Sequence, residues 1–222
     1  MEHAATLAAQ VNAVPIDRPA HYQHAADLVI LALPDDVVKN ILPVFSGDEA
    51  IIVHTAGALS LQVFENRQIA NFGVLYPLQT FSRQRRVEMS QTPIFVEANT
   101  RANKEKLLSL AKLISANVSE LSSEQRLHLH LAAVFGSNFA NHCWSIAADI
   151  LQQNNIPASV LHPLIGETFD KALLARHPKD VQTGPAVRGD VGTMQKHIAL
   201  LQNAPLRQRL YQLISESIAV TS

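Results

Sequence analysis

Residues 27–34, Asp-Leu-Val-Ile-Leu-Ala-Leu-Pro, form a short unbroken apolar run that closes on Pro34-Asp35-Asp36; residues 50–55, Ala-Ile-Ile-Val-His-Thr, form a second that closes on small residues. Runs of this length without alternation suit strands buried on both faces of a parallel sheet. Between them, Asp35 or Asp36 is placed to cap a helix over residues 37–45. Two more strand-like stretches follow at 72–75 and 93–97, with a helix-like stretch at 61–68 and a polar, basic loop at 82–90 around them.

After Asn99 the texture changes. Residues 100–116 are patterned as an amphipathic helix, 118–121 as an extended link, and nearly everything beyond Ser122 as helix: 122–154, a helix opened by Pro157 and running to about 176, and two more after a loop at 183–190. The expected fold is therefore α/β followed by all-α, divided into residues 1–98 and 99–222.

The 122–154 helix carries an unusual band. At about 100° per residue, Arg126, His130, Ser137, Asn138, Asn141 and His142 fall within roughly 160° of arc, with Leu127 and Val134 among them. A polar group buried without a partner costs about 1–3 kcal/mol, so these groups need other helices, water or a ligand.

Composition narrows the partners. The chain has 222 residues, 47% of them hydrophobic, enough for one good core or two modest ones. Eighteen basic against 19 acidic residues give no global field that would draw it to nucleic acid or an anionic membrane, so a small ligand fits better. Cys143 is the one cysteine, which excludes an internal disulfide and fits a reduced, cytoplasmic setting. The opening residues lack the basic and apolar segments of a signal peptide, and no stretch reaches the ~18 apolar residues of a membrane span.

In open α/β sheets, ligands sit beyond the carboxyl ends of the strands. Those segments are Leu33-Pro34-Asp35-Asp36, His54-Thr55-Ala56-Gly57-Ala58 and Tyr76-Pro77-Leu78-Gln79-Thr80-Phe81. Small residues at 56–58 allow close approach to the backbone, and His54 and Thr55 offer hydrogen bonds; the alternative is a tight turn with a satisfied histidine. Neither Gly-x-Gly-x-x-Gly nor a Gly-rich Lys-Ser/Thr loop occurs, which argues against a self-sufficient dinucleotide site. No metal is expected, for want of His-Glu-x-x-His or a Cys/His cluster, and no Gly-x-Ser-x-Gly elbow supports a serine hydrolase. The 183–190 loop either binds an anion through Arg188 and its amides or stops a helix, with Arg188 and Asp190 holding the turn.

Five segments occur in order: Asp27-Leu-Val-Ile-Leu-Ala-Leu-Pro-Asp-Asp36, His54-Thr-Ala-Gly-Ala-Leu-Ser60, Pro77-Leu-Gln-Thr-Phe-Ser82, His130-Leu-Ala-Ala-Val-Phe-Gly-Ser-Asn-Phe139 and Thr183-Gly-Pro-Ala-Val-Arg-Gly-Asp190. Together they resemble bacterial proteins that join a Rossmann-like domain to the helical domain of unknown function 2520, a family described as candidate NADP-dependent oxidoreductases. The resemblance implies a partial Rossmann-like parallel sheet and a helical domain of the 6-phosphogluconate dehydrogenase C-terminal type, an architecture shared with pyrroline-carboxylate reductase. It also implies that the family's first strand, glycine turn, helix and second strand are missing before Glu2, through a truncated gene, a misplaced start or a trimmed chain.

On that resemblance, Leu33, Pro34, Asp35, His54, Thr55, Ala56 and Gly57 are the expected nicotinamide-side wall for NADP. Catalytic work falls to His130, Asn138 and His142, with His130 or His142 shuttling a proton, and substrate contacts to Gln79, Thr80, Thr183, Gly184, Arg188 and Asp190. Tyr76 stands where the family commonly has His, and the helix carries no lysine of the hydroxyacid dehydrogenase type, so that mechanism is not carried over. A homodimer through the helical domain is expected. The alternative is a non-catalytic ligand-binding or scaffold protein whose polar groups bond between helices or across a dimer.

Overall fold

The computed structural model describes residues 2–22, 26–82 and 84–221, so Arg83 of the basic loop lies outside the described residues. The chain divides into two compact units, Met1–Gly136 and Ser137–Ser222.

In the first unit, helix α1 (Glu2–Val11) precedes strand β1 (Leu28–Leu31), helix α2 (Asp35–Ile41), strands β2 (Ile51–His54), β3 (Phe72–Pro77) and β4 (Ile94–Ala98), helix α3 (Arg101–Ile114), strand β5 (Val118–Glu120) and helix α4 (Ser123–Ala133). The five strands form one sheet in the order β1-β2-β3-β4-β5. β1, β2 and β3 run parallel, β4 is antiparallel to β3, and β5 is parallel to β4. The segment expected to be an extended link is thus a strand, because Val118 pairs with Ile94.

Alternation along the strands gives the sheet two apolar faces. On one, Leu31 and Ile52 pack with Val38 and Leu42 and with Phe64. On the other, Ile51, Val53, Leu75 and Val96 pack under Leu107 and Ala111 of α3. Continuous apolar runs in β1 and β2 follow from burial on both sides.

Local details depart from the sequence reading. Pro34, not Asp35 or Asp36, caps α2; both aspartates lie in the first turn, where they favour the positive end of the helix dipole. The helix-like stretch at 61–68 is only a 3-10 turn, Leu61–Phe64, because Asn66 and Gln68 take φ of 59° and 56°, outside helical space. Helix α3 is capped by Thr100, whose side chain accepts from Asn103 N.

Ser122 and Gln125 form a reciprocal capping box that starts α4. Beyond it, Val134–Phe139 form a π-helical segment, followed by α5 (Ala140–Gln153). Bonding of i to i+5 puts more residues in each turn, so the uniform 100° step assumed along this stretch does not hold across 134–139.

The second unit adds α6 (His162–Leu174), α7 (Val191–Leu200) and α8 (Pro205–Thr221). None of α5 to α8 contains a buried residue, and among the described residues of this unit only Ala186 is buried. No helix among the described residues is long and apolar enough to cross a membrane.

Candidate functional site

β3 runs on past the residue that pairs with the last position of β2, His54↔Val74, so Tyr76 stands beside the turn that follows His54. α4 starts next to Glu97 of β4 and reaches the same place with His130. Strand ends and helix therefore converge on the Thr55–Gly57 turn.

Arg126 fixes the helix there. It is 1% exposed; its Nη1 donates to Glu97 Oε2 at 2.5 Å, and its Nη2 donates to the Leu59 carbonyl oxygen at 2.6 Å and Ser123 Oγ at 3.2 Å. Ser123 donates from N and Oγ to Glu97 at 2.9 and 2.8 Å, while its Oγ accepts from Leu61 N at 2.8 Å. One buried guanidinium thus ties β4, the first turn of α4 and the segment after β2 together. Pairing and added hydrogen bonds are what make a buried charge tolerable.

His54 is fully buried and stacks on Phe64, ring centres 5.7 Å apart. Its Nδ1 accepts from Ala56 N at 3.2 Å, so the neutral ring carries its proton on Nε2. Nε2 has no partner of full hydrogen-bond geometry. Burial, and then the Arg126 charge, push the imidazole down to about 4, and the Ser60 carbonyl offsets only part of that fall. Of the two alternatives for this histidine, the Nδ1 bond to Ala56 N is the contact expected of a ring that holds a tight turn.

Over the turn, the Tyr76 hydroxyl lies 3.3 Å from His130 Nδ1, and the rings meet edge to face with centres 6.4 Å apart. Tyr76 is buried, His130 is half-buried, and burial pushes the Tyr76 hydroxyl up from its usual range. Gly57 has no room for a side chain: a Cβ there would lie 2.6 Å from His130 Nδ1, 2.8 Å from its Cγ and 3.0 Å from Tyr76 Cζ. Its glycine identity serves this close approach.

Of the expected residues, the structure brings His54, Ala56, Gly57 and His130 together, and Thr55 lies half-buried in the same turn. Leu33 and Pro34 are exposed and Asp35 half-buried just past β1. Gln79 and Thr80 are exposed, with Gln79 Oε1 accepting from Thr80 N at 2.8 Å. Asn138 and His142 are exposed in the second unit, as are Thr183 and Arg188. Asp190 caps α7, accepting from Thr193 N at 3.0 Å and Thr193 Oγ1 at 2.7 Å, and those bonds hold its carboxyl below the usual range. Gly184 and Gly189 take φ of 118° and 63° in the turn before it.

Sequence reasoning missed the roles of Arg126, Glu97 and Tyr76. Arg126 had been grouped with the polar band, and nothing in the spacing tied it to a strand 29 residues earlier. A cavity of about 680 Å³ at the opposite edge of the sheet, between β1, β2 and α3, is a different feature: its Asp48, Asn71 and Asn103 bond within the protein. Among the described residues, no group of three His, Cys, Asp or Glu could hold a metal.

A mostly parallel sheet with its polar cluster at the β2 and β3 ends, followed by helices, defines a Rossmann-like protein with a helical C-terminal region. The chain belongs to the family of the domain of unknown function DUF2520, whose model matches residues 92–218. A candidate NADP oxidoreductase of Bacteroides fragilis is 40% identical, with a TM-score of 0.92 over 98% of this chain and 85% of that one. A Thermotoga maritima protein is 22% identical, with a TM-score of 0.78 over 99% and 88%. The Plasmodium falciparum pyrroline carboxylate reductase, solved with NADP bound, shares the fold at 9% identity, with a TM-score of 0.57 over 92% and 81%. No curated protein matches the sequence.

Proposed function

We propose that the chain is an oxidoreductase of the NADP-using kind, with the nicotinamide end of the cofactor against the Thr55–Gly57 turn and a small polar or anionic substrate beside His130. The observation that carries this is the convergence of Gly57, Tyr76 and His130 at the β2 and β3 strand ends, the edge where ligands of open α/β sheets sit. The 40% identical relative with its NADP name supports the choice of cofactor.

The residues present fit one end of that cofactor. A turn of small residues, half-buried at Thr55 and Ala56, suits a flat amide-bearing ring, with Leu33 and Pro34 as apolar surface past β1. No glycine-rich turn among the described residues cradles a diphosphate. When bound, the group supplies a hydride. The chain's own part is to hold the acceptor carbon in place, keep water away and present His130 to the atom that gains charge. Asn138 and His142 remain proposed for catalysis, and Gln79, Thr80, Thr183, Gly184, Arg188 and Asp190 for substrate contact, Asp190 also capping α7.

The reading includes pairing of two chains through the helical unit. Leu206, Leu213 and Val220 of α8 recur every seven residues and are 81%, 53% and 85% exposed, while Leu173 and Leu174 of α6 are 68% and 87% exposed. Helices with no buried side chain lack the apolar burial that offsets their ordering, and a second copy supplies it.

The experiment is an NADPH-dependent reduction assay across small aldehydes, keto acids and cyclic imines, comparing wild type with His130→Ala. Turnover that falls at least tenfold in the variant supports the reading; turnover unchanged by it removes His130 from the site.

A further inference from the structure

We propose that Tyr76 is a positioning residue that fixes His130 as an Nε2–H hydrogen-bond donor, so that this histidine polarises a substrate lone pair and does not act as a base. The proposal rests on the reading of the site given above and sharpens it, because it states what chemistry the substrate offers at that point.

Tyr76 is buried as a residue, and a hydroxyl withdrawn from solvent by that burial seeks an acceptor for its proton. Among the described residues its only polar partner is His130 Nδ1, 3.3 Å away. A phenol at neutral pH keeps its proton and can donate or accept; with no other acceptor for that proton among the described residues, it is assigned as the donor to Nδ1. An accepting Nδ1 carries no hydrogen, which puts the proton of the neutral ring on Nε2.

Gly57 locks the arrangement. Its backbone lies against the Nδ1–Cγ edge of the imidazole, so closely that even a methyl group would collide with that edge and with the Tyr76 ring. The ring cannot swing away from Tyr76 in that direction. Nε2 makes no hydrogen bond among the described residues and stays available at the half-buried side of the ring.

A neutral imidazole held in this way cannot take a proton at Nε2. It gives a directed N–H to an oxygen or nitrogen lone pair, which strengthens as hydride addition builds negative charge on that atom. The substrate class that matches is a carbonyl or imine presented as an acceptor, not an ammonium or hydroxyl presented as a donor.

His128 supplies an internal contrast. Its Nδ1 lies 2.9 Å from the Glu124 carbonyl oxygen, which only accepts, so Nδ1 must carry the hydrogen there. Two histidines two positions apart on one helix thus hold opposite tautomers.

The test is nitrogen NMR of the full chain with ¹⁵N-labelled histidine at pH 8, without cofactor or substrate. His130 is expected as a single Nε2–H tautomer and His128 as Nδ1–H. In Tyr76→Phe, His130 is expected to lose the single-tautomer pattern and average between forms, with His128 unchanged as the sign that α4 is intact. An Nδ1–H tautomer for His130 in the wild type overturns the proposal whether or not the variant folds, and so does an unaltered His130 in a folded variant. No turnover enters this readout, so a wrong tautomer and a failed reductase assay are separate results.

Discussion

Arg126 donates from Nη2 to the carbonyl oxygen of Leu59 at 2.6 Å, although 67 residues separate the two in the chain. The contact sets where the turn after β2 lies against α4, and so where Gly57 meets His130. Arg126→Met keeps most of the volume but leaves the Glu97 carboxylate, 18% exposed, without its cationic partner and with only the Ser123 donors, and the Leu59 carbonyl without its guanidinium donor. Losing one partner of a buried pair costs about 3–5 kcal/mol. Urea unfolding is expected to show a loss of that size, and a loss under 1 kcal/mol contradicts the anchoring role.

Gly57→Ala places a methyl carbon where His130 and Tyr76 already stand. Overpacking of this kind costs about 1–3 kcal/mol. Urea melts are expected to record that loss, and the NMR signal of His130 to move with it, since the imidazole must yield. A variant as stable as wild type with an unmoved histidine would show that the contact is slack.

Acidification should weaken the first unit through His54. Its pKa is lowered to about 4 in the folded protein against 6.5 when unfolded. Between those values the unfolded chain binds more protons, so stability is full above about 6.5, falls as pH drops toward 4, and levels off below. At about 1.4 kcal/mol per pH unit, the upper bound is on the order of 3 kcal/mol. Melting of wild type and His54→Phe across pH 4–7 checks this; the variant should lose that part of the slope. The same slope in both assigns the pH effect to other groups.

Pairing through the helical unit predicts a mass of two chains in sedimentation and a melting temperature that rises with concentration. Leu213→Glu, at the centre of the α8 stripe, should shift the mass to one chain and lower helicity. A wild type that sediments as one chain with its helices intact contradicts the pairing.

Much of the fold was legible because burial writes itself into sequence. The unbroken apolar runs of β1 and β2 record a sheet covered on both faces, and the amphipathic pattern of residues 100–116 records α3 packed on one of them. The strand at 118–120 was illegible, since three residues at a sheet edge carry no period. The candidate cluster was half legible. His54, Gly57 and His130 could be named from their places after strands and on a helix, but the Tyr76–His130 contact joins positions 54 apart. The π-helical turn at 134–139 also left no sequence mark, and it replaces the even 100° spacing expected along that stretch.

The most direct measurement is a backbone and histidine side-chain NMR titration of the chain with NADPH, set beside one with 2′,5′-ADP, which carries the adenine half alone. A nicotinamide site predicts that NADPH moves the amides of Thr55, Ala56 and Gly57 and the His130 ring, and that 2′,5′-ADP leaves them in place. NADPH at saturating concentration with those four signals unmoved would contradict the account.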